Sequence, residues 1–250
     1  MQALDLHSRI DAVPDGEVYA LPRSFEFHLG NLLFERAFSE HLVIKIPSRE
    51  SRDRRSYGGW RDYLRHIRND ETDPDWERKP NGDECWASRD RLFDRYPVLK
   101  KLCGEHKEEQ VHFLAIHKLH HDQLSQVIRV PQTRFVIASR PTWFEPSRAT
   151  WPAIVQERVP GVSLWEMIDQ TVGVGGLKLE WQRYFESIRQ QLRILLHSRV
   201  DADWNPENFV FDSETQSLCY VDAKCGAMIP AYSNNHNLPR IKRDFGLGAL

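Results

Sequence analysis

Three side chains that carry oxygen atoms occur in the C-terminal part of the chain at a spacing that suits metal-assisted chemistry. Asp203 precedes Asn208 by five residues, and Asp222 follows Asn208 by fourteen. Between Asn208 and Asp222, two apolar runs flank the polar segment 212–216, and this pattern predicts a β-hairpin. Because a hairpin brings its two ends together, the amide of Asn208 and the carboxylate of Asp222 are expected to converge.

The chemistry of these side chains indicates a magnesium site. Mg²⁺ prefers oxygen ligands, binds through few protein side chains, and takes the rest of its shell from water and substrate phosphates. Asn208 and Asp222 are therefore the predicted metal ligands. Asp203, on the same loop, is expected to accept the proton of a substrate hydroxyl. The alternative is an ordinary surface loop, because Asn, Pro and Asp are also the residues that turns favour.

The loop and the acid that follows the hairpin resemble the catalytic core of the protein-kinase-like superfamily. In that family the catalytic loop ends in Asp-Leu-Lys-Pro-Glu-Asn, and a metal-binding Asp follows further along the chain. This chain carries Asp203, Pro206, Glu207 and Asn208 at the matching positions. The resemblance implies a phosphotransferase that uses ATP and Mg²⁺, with Asp203 as its catalytic residue.

The chain departs from the protein-kinase pattern at three points. Asp201-Ala202 replaces the His-Arg or His-Gly pair, and Asn205 stands where protein kinases usually carry Lys. Asp222-Ala223-Lys224 replaces Asp-Phe-Gly. These departures resemble the atypical, small-molecule or lipopolysaccharide-type branches of the superfamily more than a Ser, Thr or Tyr protein kinase.

A candidate cation for the phosphates of ATP lies earlier in the chain. Lys45 belongs to the run Val43-Ile44-Lys45-Ile46, which resembles the family's Val-Ala-Ile-Lys strand. The alternative is a solvated lysine on the outer face of an edge strand. The expected partner is Glu109 on the following helix, because apolar residues follow it at helical spacing, and Glu105 and Glu108 remain alternatives.

The segment 154–161 resembles the strand and hinge that contact adenine in the family. The resemblance implies that the backbone carbonyl of Glu157 and the backbone amide of Val159 bind the base, with Gln156 as gatekeeper. A core strand that ends in a turn would have the same residues. The phosphate-binding loop is not matched, because the segment 28–31 contains no Gly-x-Gly-x-x-Gly.

Three further patterns are given a structural interpretation. Asp244-Phe245-Gly246 spells a kinase metal motif, but the spacing favours Asp222 as the ligand. His117 and His121 stand four residues apart and could bind Zn²⁺, yet no third ligand is apparent, so solvated or core histidines are expected. The arginines between 49 and 68 predict a solvated insertion rather than a site for an acidic substrate.

The order of elements is the one that the kinase-like resemblance implies. We predict strands at 18–21, 24–27 and 42–46, helical spacing over 86–126, strands at 127–138 and 153–159, and helices at 163–171 and 179–198. The predicted fold class is α+β, a bilobal protein-kinase-like fold. Its N-terminal lobe would span 1–160 with an insertion near 47–83, and a reduced helical C-terminal lobe would span 161–250. Only 28 residues follow Asp222, so a small-molecule or sugar acceptor is expected.

Composition narrows the partners. The net charge is −2, so no nucleic-acid partner is expected. No apolar run approaches the ~18 residues that span a bilayer, and the N-terminus lacks the pattern of a secretory signal. Four cysteines without Cys-x-x-Cys spacing favour reduced thiols in a cytoplasmic protein. The alternative functions are a catalytically inactive kinase-like nucleotide-binding or scaffold protein, and an adenylyl-transferring enzyme.

Overall fold

The protein is described by a computed structural model that covers part of the chain. The described residues are 2–5, 8–21, 28–29, 34–47, 89–104, 108–140, 149–169, 176–198, 200–222 and 236–248. Strands and helices mix in an α/β arrangement compatible with the predicted α+β class. The predicted strand at 24–27 and nearly all of the arginine-rich insertion near 47–83 lie outside the described residues.

The chain divides into two compact units, and the division does not follow chain order throughout. The first unit comprises Met1–Leu119 and Gln132–Arg158, and the second comprises His120–Pro131 and Val159–Leu250. The division after Arg158 lies two residues before the boundary expected at 160. Residues 120–131, which were expected in the N-terminal lobe, belong to the second unit. The assignment of the two units as kinase lobes stays a prediction.

The first unit is built on a mixed seven-stranded sheet with the order β1-β2-β6-β7-β5-β4-β3. Its strands are β1 Gln2–Ala3, β2 Val18–Ala20, β3 His28–Leu29, β4 Phe34–Phe38, β5 Leu42–Pro47, β6 Thr133–Arg140 and β7 Ala149–Glu157. The pairs β1–β2 and β2–β6 are parallel, and the other pairs are antiparallel. Five neighbouring strands, in the order β3-β4-β5-β7-β6, are therefore antiparallel to one another, and β2 and β1 extend the sheet beyond β6 in parallel pairs.

The helices of the first unit lie between β5 and β6 in the chain. They are α1 Arg89–Arg95, α2 Pro97–Lys100, a 3₁₀ turn at Lys101–Gly104, and α3 Glu108–Ser125, of which residues 120–125 belong to the second unit. A further 3₁₀ turn spans Ile10–Ala12. The helical spacing predicted over 86–126 is thus interrupted. Pro97 is the reason for the first break, because proline disfavours helical backbone at the preceding residue and is itself suited to a first helical position.

The two faces of the first sheet have different coverage. Leu42, Ile44 and Ile46 of β5 point into an apolar core that includes Ala37 of β4 and Val155 of β7. Because side chains alternate along a strand, Lys45 lies on the opposite face. Helix α3 covers that face, since Lys118 contacts the ring of Phe135 on β6 at 5.3 Å and Gln110 Nε2 donates to the carbonyl of Thr150 on β7 at 2.9 Å.

The second unit combines a small antiparallel sheet with helices. Its strands, in the order β10-β9-β8, are β8 Val162–Ser163, β9 Phe209–Asp212 and β10 Ser217–Tyr220. Its helical segments are α4 Leu164–Met167, a 3₁₀ helix Leu179–Tyr184, α5 Phe185–His197, a 3₁₀ turn Pro206–Asn208, and α6 Leu238–Asp244. Ile188, Leu192 and Leu195 of α5 are buried, and their spacing of three and four residues places them on the side of the helix that faces the core.

Several predicted element boundaries were wrong. Residues 127–132 belong to no strand, although Arg129 forms an isolated bridge with Cys219, and β6 begins only at Thr133. The helix predicted over 163–171 ends at Met167. The strands β3 and β4 were not predicted. The central residues of β4 are Glu35, Arg36 and Ala37, which have low intrinsic strand propensity, so pairing with β5 decides the conformation. In the part of the chain that the structure describes, no helix is both long and apolar enough to cross a membrane.

Candidate functional site

The hairpin expected between Asn208 and Asp222 is present in the second unit. β9 and β10 pair antiparallel, with Phe209 opposite Tyr220. One residue beyond each strand, the backbone N–H of Val221 donates to the carbonyl of Asn208 at 2.8 Å. The base of the hairpin therefore holds Asn208 next to the segment that carries Asp222.

Helix α5 fixes the other end of the hairpin. Gln191 Oε1 accepts a bond from the N–H of Leu218 at 2.7 Å, and Gln191 Nε2 donates to the carbonyl of Gln216 at 3.3 Å. Gln216 has a positive φ of 52°, an uncommon conformation for a residue other than glycine. The bonds to Gln191 stabilise this turn, so the polar side of α5 holds the turn and the start of β10.

The loop that bears Asp203 is ordered by its own side chains. Asn205 caps the 3₁₀ turn Pro206–Asn208 by accepting a bond from the N–H of Glu207 at 3.2 Å. Asp203 Oδ1 accepts a bond from the N–H of Asn205 at 3.1 Å. The predicted motif is thus a compact turn, in which Pro206 occupies a first position where its missing N–H is tolerated.

One bond also orients the amide of Asn208. Its Nδ2 donates to the backbone carbonyl of Asp203 at 3.3 Å. A carbonyl oxygen only accepts, so the amide nitrogen must face Asp203 and the amide oxygen must face away from that carbonyl. Asn208 Oδ1 is the atom that the predicted magnesium site requires.

Tyr220 lies where the loop and the hairpin meet. Its hydroxyl accepts a bond from the backbone N–H of Asp203 at 2.8 Å. Burial raises the pKa of the Tyr220 hydroxyl well above its usual value, and the nearby carboxylates of Asp222 and Asp203 raise it further. Both acids therefore lie close to one buried hydroxyl, which connects the predicted base with a predicted metal ligand.

The three predicted residues of this cluster are all buried. Asp203 is 4% exposed, Asn208 is 5% exposed and Asp222 is 2% exposed. Transfer of a carboxylate from water into a protein interior is unfavourable unless other groups compensate for the lost hydration. Clusters of buried ionisable groups are more frequent at functional sites than elsewhere, although structural networks produce them too.

A histidine that the sequence analysis did not select anchors the start of this loop. His120 is 1% exposed, and its Nε2 lies 2.7 Å from the backbone carbonyl of Asp201, so that nitrogen carries the donated hydrogen. The two residues are 81 positions apart in the chain, which is why no local pattern indicates the bond. Tyr220 was also missed, although its position at the end of an apolar strand next to Asp222 was visible.

Lys45 lies in the first unit and is 5% exposed. It stands opposite Arg36 on β4 and Ile154 on β7, on the sheet face that α3 covers. The solvated lysine that served as the alternative does not match this burial. Of its candidate partners, Glu108 is exposed at the start of α3, whereas Glu105 and the side chain of Glu109 lie outside the described residues.

The residues expected at adenine lie at the end of β7. Gln156 is 3% exposed, and its Nε2 donates to Thr133 Oγ1 at 3.2 Å. The N–H of Glu157 donates to the carbonyl of Gln132 at 2.9 Å. Glu157 ends the strand in the first unit, and Val159 is the first residue of the second unit after β7. The roles of these residues stay predictions.

Two of the three patterns that were given a structural interpretation have contacts in the structure, and the arginines between 49 and 68 lie outside the described residues. Asp244 forms ion pairs with Arg240 at 3.4 Å and Arg243 at 3.1 Å. His117 Nδ1 lies 2.8 Å from the carbonyl of Phe113, and His121 Nε2 lies 3.1 Å from the carbonyl of Pro131. These contacts account for the positions of all three side chains without a metal ion.

The donor set at the base of the hairpin fits magnesium better than a transition metal. Among the described residues, no three His, Cys, Asp or Glu side chains converge as a metal site made of such ligands alone would require. One amide oxygen and one carboxylate instead suit an ion that keeps several waters and binds phosphate. No family model, no curated protein and no solved structure matches the chain.

Proposed function

We propose that this protein is a kinase-like phosphotransferase that uses ATP and Mg²⁺ to phosphorylate a hydroxyl group of a small molecule or sugar. Asp203 is the catalytic residue, and Asn208 and Asp222 are the metal ligands. The observation that carries the proposal is the arrangement of these three residues at the base of one hairpin. The loop and the hairpin are connected there by the bond from Asp203 to Tyr220 at 2.8 Å and the bond from Val221 to Asn208 at 2.8 Å.

The order of elements supports the same proposal. In the first unit, three antiparallel strands (β3 to β5) precede the long helix α3, and two further strands (β6 and β7) follow it. In the second unit, helices precede the loop that carries Asp203, and the hairpin follows that loop. This is the order that the resemblance to kinase-like proteins implies, with the two units as the two lobes of a bilobal fold.

The proposed chemistry assigns each residue a separate task. The carboxylate of Asp203 accepts the proton of the acceptor hydroxyl as its oxygen forms a bond to the γ-phosphorus of ATP, and the bond to the ADP oxygen breaks. Asn208 Oδ1 and a carboxylate oxygen of Asp222 hold the Mg²⁺ ion, which supplies positive charge to the phosphate oxygens. Phosphoryl transfer depends mainly on such positioning and charge stabilisation.

Lys45 supports the nucleotide part of the proposal. Lys45 is buried on β5 at the position that the resemblance assigns to the lysine that binds the phosphates of ATP. An ammonium group binds phosphate through charge-assisted hydrogen bonds. The acceptor class follows from the departures at Asp201-Ala202 and Asn205, which resemble the small-molecule branches of the superfamily. The net charge of the chain is −2, so its overall charge would not attract a polyanionic acceptor.

The test is a product analysis with the purified protein, ATP, Mg²⁺ and a panel of sugars and small alcohols. We expect ADP formation that requires both Mg²⁺ and an acceptor, and that is strongly reduced in the Asp203→Asn variant. Release of pyrophosphate would identify adenylyl transfer instead. Turnover that persists in EDTA, or that continues at the wild-type rate in the Asp203→Asn variant, would contradict the proposed site.

A second candidate is a catalytically inactive, kinase-like nucleotide-binding or scaffold protein. The replacement of the family's His-Arg pair by Asp201-Ala202 and the unmatched glycine-rich loop at 28–31 favour it. This candidate predicts that ATP raises the melting temperature while no acceptor gives ADP. The product analysis therefore separates the two candidates.

A further inference from the structure

We propose that Tyr220 is a positioning residue. Its hydroxyl group holds Asp203, the proposed catalytic residue, at a fixed distance from Asp222. The inference rests on the proposed function, because it assigns a role to Tyr220 within that site. Nothing in the loop motif requires a tyrosine at this position. The hydroxyl itself, rather than the aromatic ring, is the part of the side chain to which we assign the role.

The ring of Tyr220 is held rigidly. Tyr220 is the last residue of β10 and is 0% exposed. Its ring packs against Phe209, the opposite residue on β9, with ring centroids 5.1 Å apart. Its backbone N–H donates to the carbonyl of Arg129 at 2.9 Å. A side chain whose ring and backbone are both fixed presents its hydroxyl at one place, which is what a positioning group requires.

The hydroxyl connects two parts of the site that are 17 residues apart in the chain. It accepts the bond from the N–H of Asp203 at 2.8 Å, while the Tyr220 backbone leads directly to Val221 and Asp222. Any movement of the loop relative to the hairpin would lengthen this bond. The bond therefore sets the distance between the proposed base and the proposed metal ligand, and proton transfer depends steeply on such distances.

The other bonds of the loop act on different atoms. His120 holds the carbonyl of Asp201 at 2.7 Å, and Asn208 Nδ2 donates to the carbonyl of Asp203 at 3.3 Å. The N–H of Asn205 donates to Asp203 Oδ1 at 3.1 Å. These bonds keep the loop folded when the Tyr220 hydroxyl is removed, so the loss of that hydroxyl is expected to shift Asp203 rather than to unfold the loop.

The decisive variant is Tyr220→Phe, which keeps the ring and removes the hydroxyl. We expect kcat to fall roughly 10- to 100-fold, since small displacements of reacting groups have effects of that size. The KM for ATP should change by less than about twofold, because the lost bond does not contact the nucleotide. The matched control is Tyr184→Phe, since Tyr184 lies in the same unit and its ring packs against Phe211 at 4.9 Å. It should retain the wild-type kcat.

Hydrogen exchange provides a readout that does not depend on turnover. In Tyr220→Phe the amide of Asp203 should exchange roughly tenfold faster or more, while the amide of Val221 keeps its protection. An unchanged Asp203 amide, or faster exchange throughout the unit, would overturn the positioning role, as would an unchanged kcat. If the wild-type protein has no turnover, the proposed function fails, and the exchange of the Asp203 amide alone decides the role of Tyr220.

Discussion

Asp203 and Asp201 are two residues apart, yet their surroundings differ. Asp203 is 4% exposed and close to Tyr220, whereas Asp201 is half-buried and contributes its backbone carbonyl to His120. Asp203→Asn retains an acceptor for the N–H of Asn205 and loses only the charge. We expect kcat to fall by roughly 10²–10⁴, the range of general acid–base groups, with little change in the affinity for ATP–Mg²⁺. Parallel kinetics on Asp201→Asn provide the control, and loss of turnover in that variant alone would assign the base to Asp201.

Lys45 offers a second prediction at the residue scale. Lys45→Met should weaken the binding of ATP by about tenfold or more and leave the binding of adenosine nearly unchanged, because the lost bond is to phosphate. Calorimetric titration with both ligands measures this difference. Lys118→Met is the matched control, since Lys118 is also a lysine between α3 and the sheet, and it forms an ion pair with Asp15 at 3.3 Å. If the ratio of the affinity for ATP to the affinity for adenosine changes equally in Lys45→Met and Lys118→Met, the assignment of Lys45 is contradicted.

At the scale of elements, the hairpin is stabilised at its turn by a network that depends on charge. The pKa of Asp212 is lowered to about 2. The largest cause is the side-chain bond from Thr215. Bonds from Arg129 and from the N–H groups of Glu214 and Thr215 contribute as well, whereas burial opposes the shift. Arg129 comes from the segment 120–131, and its Nη1 lies 3.1 Å from Asp212 Oδ2 and 2.8 Å from Ser217 Oγ. The network therefore joins that segment to both strands of the hairpin.

The lowered pKa predicts how stability varies with pH. A group whose pKa is lower in the folded than in the unfolded state stabilises the fold above its unfolded pKa, and this contribution is lost as the pH falls through the folded pKa. For Asp212 the loss should occur between about pH 4 and about pH 2. Urea unfolding should show that wild type is more stable than Asp212→Asn at neutral pH and that the difference shrinks in this window. Asp94→Asn, which alters an exposed acid paired with Lys100, is the control and should change the stability little at neutral pH.

At the scale of the whole molecule, the chain forms two compact units, each with an apolar core of its own. A ligand that binds only the folded protein raises its stability by mass action, by about 2.7 kcal/mol at a concentration of 100 times the Kd. For a protein of 250 residues this corresponds to a rise in Tm of roughly 5–10 °C. ATP with Mg²⁺ should therefore raise the Tm more than ATP with EDTA.

The Asp222→Asn variant tests whether the additional rise in Tm that Mg²⁺ gives depends on the proposed metal ligands. It keeps the volume of the side chain and should lose the additional rise in Tm that Mg²⁺ gives, while the smaller effect of ATP alone remains. Glu214→Gln, at an exposed acid in the hairpin turn, is the control for a change of charge. Asp244 is unsuitable as a control, because it is buried between two arginines and its substitution would itself lower stability. If folded Asp222→Asn shows the same additional rise in Tm with Mg²⁺ as the wild type, the metal assignment is contradicted.

Features that arise between neighbouring residues were predictable from the order of residues alone. The hairpin from Phe209 to Tyr220 follows from two apolar runs around a polar turn, and the buried face of α5 follows from its helical spacing. The spacing of Asp203, Asn208 and Asp222 was readable for the same reason, since a single hairpin separates the two expected ligands. Such patterns need only local geometry, which the order of residues carries.

Contacts between segments that are far apart in the chain depend instead on how a whole unit packs. Residues 120–131 join the second unit, and His120 contacts Asp201 across 81 positions, because packing of the whole unit and not a local pattern selects that pair. The strand β4 forms although Glu35 and Arg36 disfavour it, since its bonds to β5 outweigh propensity. The hydroxyl of Tyr220 reaches Asp203 for a similar reason: a tyrosine at the end of a strand is compatible with many partners, and the fold of the loop above it determines which one it has.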